Sequence, residues 1–329
     1  MSGRTLREGM RNFEPVERLP LGGYLHRMWR GKPHPPFVDP AVADELRATW
    51  CTDPEDVFIS THQKVGTHLT KKFVVELLRA GFDYPAETGM AAGDIGHDTV
   101  PWPEVLASQH GRGAMEAFRA EGAGWPRVWY LHTAIEDLTM RQVHPQSKFI
   151  YIIRDPRSAL VSQYFFYQRH PNLGATPDFP LEQFAELFLD GALFFGDYHD
   201  HVLGWMNPAP YGIAPEQVLY LRYEDLVERK LAAVKRIAAF LMPDRELPEE
   251  RLLAIAAGTD FAAMKQEMKE NPRSFHFNPD VFFRQGRTDG WSDQLTADLA
   301  SRVVEKSEAK WGPGQISSPN FTGLPTLDP

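Results

Sequence analysis

Three small groups of residues have the types and spacing to act on an anion and a hydroxyl. The first is Lys64, Gly66 and Thr67 in the run VFISTHQKVGTHLTKKF. A glycine after a β-branched run lets the backbone turn tightly, and the N–H groups at the following helix start form an anion site. Lys64 adds a full positive charge to that loop. The second group is Arg154 with Ser162, eight residues later in FIYIIRDPRSALVSQYFFY. Arginine suits bidentate phosphate binding. At about 3.6 residues per turn, a serine two turns into the next helix returns to the loop-facing side. The third is His132, at the end of RVWYLH. Imidazole is the side chain best matched to taking a hydroxyl proton near neutral pH.

Each group has a plainer alternative. Lys64 would be a solvated side chain on an ordinary strand-to-helix turn. Arg154 would pair with Asp155, with Ser162 bonded back to its own helix. His132 would be a core histidine bonded to backbone, and His62 and His68, which flank the loop, are its rivals. The loop is not a Walker A sequence, because there the lysine follows the second glycine, whereas Lys64 precedes Gly66. That argues against an ATPase, a GTPase or a small-molecule kinase, which would also need carboxylates for Mg²⁺. The run Tyr198-His199-Asp200-His201 has an H-x-H spacing, but no further ligand clusters near it in sequence. A surface or helix-lining role is expected there, and no metal site.

The elements that must position these residues alternate. Residues 57–61 (VFIST), 127–132 (RVWYLH), 149–153 (FIYII) and 218–221 (VLYL) read as strands. Between them, Leu69, Phe73 and Leu77 share a helix face, with Lys71, Lys72 and Glu76 off it. Asp155 suits a helix N-cap and Pro156 the first helical position. Leu231, Val234, Ile237, Ala238 and Leu241 line another helix. Alternation of this kind predicts an α/β fold with a mostly parallel sheet covered by helices. Its ligands sit beyond the carboxyl ends of the strands, which singles out residues 62–68, 132, 154–157 and 222–225.

The 329 residues carry 35 Lys and Arg against 44 Asp and Glu, a net charge of −9. That balance argues against a general nucleic-acid binder but leaves room for a local anion site. A hydrophobic fraction of 43 % with 24 % charged residues is ordinary globular composition. The single Cys51 excludes a disulfide framework and a cysteine-based structural zinc site, and favours a reducing compartment, the cytoplasm. The first residues show no apolar signal segment and no run is long enough to span a bilayer, so no membrane partner is expected. Residues 1–50 read as an extended, irregular lead-in, 51–311 as one domain, and 312–329 as an irregular tail.

Taken in order, QKVGTH after a strand, FIYIIRDPRSALVSQYFFY, VLYLRYEDL and FFRQG…DGW resemble the cytosolic-type sulfotransferases that use 3′-phosphoadenosine 5′-phosphosulfate (PAPS), in the manner of bacterial small-molecule enzymes. The resemblance covers roughly residues 50–310. It implies a P-loop-like, nucleotide-kinase-related sulfotransferase fold with a central, mostly parallel sheet flanked by helices. It implies transfer of a sulfuryl group from PAPS to the hydroxyl of a small phenol or alcohol, leaving 3′-phosphoadenosine 5′-phosphate (PAP), without a metal. The chain would act as a monomer or homodimer. The alternative is a non-catalytic PAP-binding relative, against which the retention of Lys64 and His132 weighs.

The residue roles follow from the same resemblance. Lys64 matches the lysine on the bridging oxygen of the transferring group, and Val65, Gly66 and Thr67 match the 5′-phosphate cradle. His68 stands in place of a second threonine and Leu69 in place of an adenine-stacking tryptophan. Arg154 and Ser162 match the pair that grips the 3′-phosphate. Tyr223, Thr259 and Phe261 match adenosine-site residues. Arg284, Gln285 and Gly286 match the segment that closes over the 3′-phosphate, with Gln285 replacing a lysine and Arg287 the expected compensation. His132 falls at the catalytic base, beside Lys64 and Ser162, with Tyr130 where the family has an accessory lysine. For the acceptor pocket, the aromatic-rich stretches 94–130 and 163–206, Trp102, Trp129 and Phe194 among them, suit an apolar alcohol. The resemblance singles out Phe166 and the segment Phe194–Trp205. Phe166, Phe195 and Trp129 are the expected pocket residues.

Overall fold

The computed structural model describes residues 17–18, 25–170, 179–270 and 286–313. The stretch before residue 50 corrects the expectation of an irregular lead-in. Strands β1 (Glu17–Arg18), β2 (Leu25–Trp29) and β3 (Lys32–His34) form a small antiparallel sheet. The turn between β2 and β3 uses Arg30 and Gly31, at φ +49° and +76°, a backbone hand that matches strand twist. Helix α1 (Pro40–Thr49) follows, with Asp39 Oδ1 accepting from Ala41 N at 2.9 Å. Prolines suggested extended chain, yet Pro40 presets the first helical turn.

The four predicted strands are present as β4 (Asp56–Thr61), β5 (Arg127–Leu131), β6 (Lys148–Ile153) and β7 (Val218–Arg222). They make one parallel sheet in the order β5-β4-β6-β7, with Phe58 opposite both Trp129 and Phe149. Every residue of β4 and β5 is buried, as expected of a parallel sheet covered on both faces. The chain steps from β4 to β5 on one side and then to β6 on the other. That reversal opens a crevice at the carboxyl end of β4, where α/β sheets bind their ligands.

Helix α2 (Thr67–Gly81) follows β4, and α3 (Pro156–Arg169) follows β6. Asp155 Oδ1 caps α3 by accepting from Arg157 N at 2.8 Å, with Pro156 in the first position as predicted. Helix α4 (Tyr198–Trp205) packs on η-turn 135–137 and on the last helix; α5 (Tyr223–Glu228) and α6 (Lys230–Leu241) follow β7. Beyond these lie α7 (Glu249–Gly258), α8 (Phe261–Glu270) and α9 (Ala297–Trp311). One expectation for α2 fails. Lys71 and Lys72 are buried, because Lys71 donates to Val100 O at 3.2 Å and lies over Tyr130, and Lys72 pairs with Glu267 of α8 at 2.7 Å. Among the described residues no helix is long and apolar enough to cross a membrane.

Candidate active site

The predicted anion-binding residues meet at the crevice. A cleft of about 1320 Å³, open solvent included, is lined by Lys64, Gly66, Thr67, His68, Leu69, His132, Arg154, Ser162, Phe166, Phe195, Tyr223, Thr259, Phe261 and Gly286. Gly66 ends the loop at φ +115°, and a Cβ there would lie 2.7 Å from Tyr223 Cδ2. Only glycine satisfies both the left-handed backbone and the ring contact. Lys64 itself sits at φ +64°, with Nζ 4.6 Å from the Phe166 ring centroid. Burial, then the neighbouring Arg154 charge, pushes its amine down to about 7.

Arg154 does not pair with Asp155, which is engaged by Arg157 at 2.6 Å. Its Nη1 donates to Lys64 O at 2.8 Å, and its guanidinium lies 4.1 Å from the Tyr223 ring centroid. Tyr198 Oη fixes the arginine's backbone, accepting from Arg154 N at 3.0 Å and donating to its carbonyl at 2.6 Å. Arg154 Nε is buried with no hydrogen-bond partner among the described residues. Thr67 Oγ1 lies 2.8 Å from Thr61 Oγ1, tying the first residue of α2 to the end of β4.

His132 lies one residue past β5. Its Nδ1 is 2.8 Å from Thr61 O. A carbonyl only accepts, so Nδ1 carries the hydrogen and Nε2 keeps the lone pair. Burial, opposed by that backbone bond and helped by His62, Lys71 and Lys64, lowers its pKa to about 3. The imidazole is therefore neutral. Trp102 meets it edge-on at 5.1 Å and Phe195 lies at 5.5 Å.

A family model described as the sulfotransferase domain matches residues 54–312. This chain belongs to the sulfotransferase family. The PAPS-dependent enzyme class expected from the sequence is the one its relatives bear. Sulfotransferase 2B1 of Mus musculus is 30% identical over 284 residues, covering 84% of this chain and 77% of that protein. The 3-alpha-hydroxysteroid sulfotransferase of Cavia porcellus is 27% identical, covering 84% and 92%. Among solved structures, mouse sulfotransferase SULT7A1 complexed with PAP superposes with a TM-score of 0.69 at 23% identity, covering 88% of this chain and 96% of that one. Retinol dehydratase with androsterone and PAP gives 0.64 at 19%, covering 93% and 92%. These structural likenesses are of fold, and they agree with the predicted architecture.

Within this sulfotransferase some expected residues fall elsewhere. Trp129 is not at the cleft. It is fully buried on the other face of β5, donating from Nε1 to Asp56 Oδ1 at 2.9 Å and packed on Trp50 and Phe118. In a strand buried on both sides, alternation gives no sign of which face opens. Val65 also buries its side chain in the core and is not among the residues that line the cleft. Arg287 was the expected compensation for Gln285, but its guanidinium is engaged by Asp289 at 2.9 Å and Asp293 at 3.1 Å. Arg284 and Gln285 lie outside the described residues. Of the rivals to His132, His62 is fully buried with Nδ1 3.3 Å from Gln163 Nε2, while His68 lines the cleft. His199 and His201 are buried, bonded to Ser307 and Tyr151, as structural histidines. Among the described residues no group of three potential ligands could hold a metal.

The cleft also uses residues the sequence reading did not assign to it. Pro35 and Phe37 reach it from the loop after β3, and Lys230 and Met264 from α6 and α8, while Trp102 and Phe194 line it from the aromatic-rich stretches where acceptor walls were expected. The run PHPPF carried the signal for the first pair, though not its direction. The position of the family's accessory lysine holds Tyr130, whose ring centroid is 3.6 Å from the buried Lys71 Nζ.

Proposed function

We propose that this sulfotransferase moves the sulfuryl group of PAPS to a hydroxyl of an apolar small molecule, with His132 as general base. One observation carries the reading: a neutral imidazole with its Nε2 lone pair kept available shares a cleft with Lys64 and Arg154. The buried, unpaired Nε of Arg154 and the glycine approach at Gly66 fit a multiply charged phosphate ligand.

Arg154 and Ser162, with Arg284 by resemblance, would hold the 3′-phosphate. The loop amides and Thr67 would hold the 5′ group at the start of α2. Tyr223, Thr259 and Phe261 would bind the adenosine. Bound there, PAPS supplies an activated sulfuryl group on a phosphate leaving group. Lys64 is placed to neutralise charge that builds on the leaving oxygen, as in phosphoryl transfer. His132 takes the acceptor proton on Nε2, while its Nδ1–H stays on Thr61 O. Its low basicity follows from burial and nearby cations, so a bound anion offsets the cost of the imidazolium. Phe37, Trp102, Phe166, Phe194 and Phe195 make an aromatic wall beside His132, which suits a phenol or hydroxysteroid-like alcohol. The name of the guinea-pig relative points the same way.

The test is transfer of labelled sulfate from PAPS to a panel of phenols, hydroxysteroids and primary alcohols. Transfer to at least one class, lost in His132→Ala, is expected. Absence of transfer across the panel, or full turnover in His132→Ala, would contradict the reading.

A further inference from the structure

Gln63 precedes Lys64 in the loop after β4, and the proposed transfer gives it no task. Its side chain is buried, and its Nε2 donates to Tyr167 Oη at 2.8 Å. The same oxygen accepts from Phe194 N at 3.1 Å. Tyr167 is 0 % exposed on α3. One hydroxyl therefore joins the loop that carries Lys64 to the segment that carries Phe194 and Phe195. Both ends hold a non-glycine residue in the left-handed region, Lys64 at φ +64° and Phe195 at φ +69°. Such conformations persist only where the surroundings hold them, and they gather at functional sites. Phe195 in turn lies at 5.5 Å from the His132 ring.

We infer that Gln63 and Tyr167 are a positioning pair that sets the aromatic acceptor wall against the donor loop. Neither touches reacting atoms; they act through Phe194–Phe195 on one side and Lys64 on the other. The inference rests on the sulfuryl-transfer reading. It assigns the pair to acceptor placement, whereas a merely packed tyrosine would support both halves of the site alike.

The test uses the full chain with Tyr167→Phe, which keeps the ring and removes the hydroxyl, and Gln63→Met, which removes the amide donor. Acceptor KM, kcat, the calorimetric Kd for PAP and the melting temperature are measured for each and for the double variant. Losing the Gln63 hydrogen bond in Gln63→Met predicts an acceptor KM raised about three- to tenfold, and losing both bonds in Tyr167→Phe one raised about ten- to a hundredfold, with PAP affinity within about twofold. The double variant should be no worse than the stronger single one, because the two groups act as one unit. An unchanged acceptor KM in an active Tyr167→Phe enzyme overturns the inference alone. So does a parallel loss of PAP affinity and acceptor KM. If the parent chain neither binds PAP nor transfers sulfate, the functional reading falls and this inference with it.

Discussion

Arg154 Nη1 lies 2.8 Å from the carbonyl oxygen of Lys64. The arginine at the end of β6 thus braces the loop at the end of β4, across the point where the strand order reverses. Its plane rests on Tyr223 and its backbone is held by Tyr198, so little freedom is left to lose on binding an anion.

Arg154→Gln should therefore weaken PAP by roughly 10- to 150-fold, the range of about 1.5–3 kcal/mol for hydrogen bonds to a charged group. ADP lacks the 3′-phosphate and should lose far less. Calorimetric titration of both ligands checks this. Equal losses would remove Arg154 from the 3′-phosphate.

Loss of the proposed base should affect chemistry and spare binding. His132→Ala is expected to lower kcat by about 10²–10⁴-fold, with the Kd for PAP unchanged. Steady-state kinetics beside calorimetry separates the two. A weaker Kd with unchanged kcat would make His132 a binding residue.

Lys64 couples binding to protons. Burial and the Arg154 charge place its amine at about 7, and an adjacent anion favours the charged form. Above pH 7 the free site is mostly neutral, so PAP binding takes up a proton and weakens as pH rises, by at most about tenfold per unit. Titrations at pH 8 in buffers of different ionisation heat will show the uptake, and Lys64→Arg should abolish it. Zero uptake in the parent would contradict the low amine pKa.

Stability carries the opposite signature. Burial lowers His34 and His62 to about 4, and His132 and His170 to about 3. The unfolded chain takes up protons as pH falls through about 6.5, while these folded-state imidazoles stay neutral. Stability is thus fully present above that pH and lost below it, at up to about 1.4 kcal/mol per pH unit for each histidine. Urea midpoints should fall steeply from pH 6.5 to 4.5. A flat profile over that window would contradict burial of these groups in the neutral form.

Much of this arrangement was legible in the sequence. Strands β4 to β7 announced themselves because a parallel sheet buried on both faces leaves continuous apolar runs. Asp155 and Pro156 marked a helix start through capping chemistry, and the strand ends named Lys64, His132 and Arg154. What stayed hidden depends on tertiary partners. Pattern reading assigns lysine to solvent, yet Lys71 donates to Val100 O at 3.2 Å and lies over Tyr130. The loop from β3 to α1 reaches the cleft only because Lys32 pairs with Glu136 and Asp137 and Phe195 N bonds Pro33 O, contacts about a hundred residues or more away in sequence.

The ligand proposed for the cleft is a 3′-phosphorylated adenosine nucleotide. Calorimetric titration with PAP, set against ADP and Mg·ATP, tests it most directly. Metal-free binding of PAP is expected, tighter than that of ADP and of Mg·ATP. No binding of PAP, or preference for Mg·ATP, would contradict it.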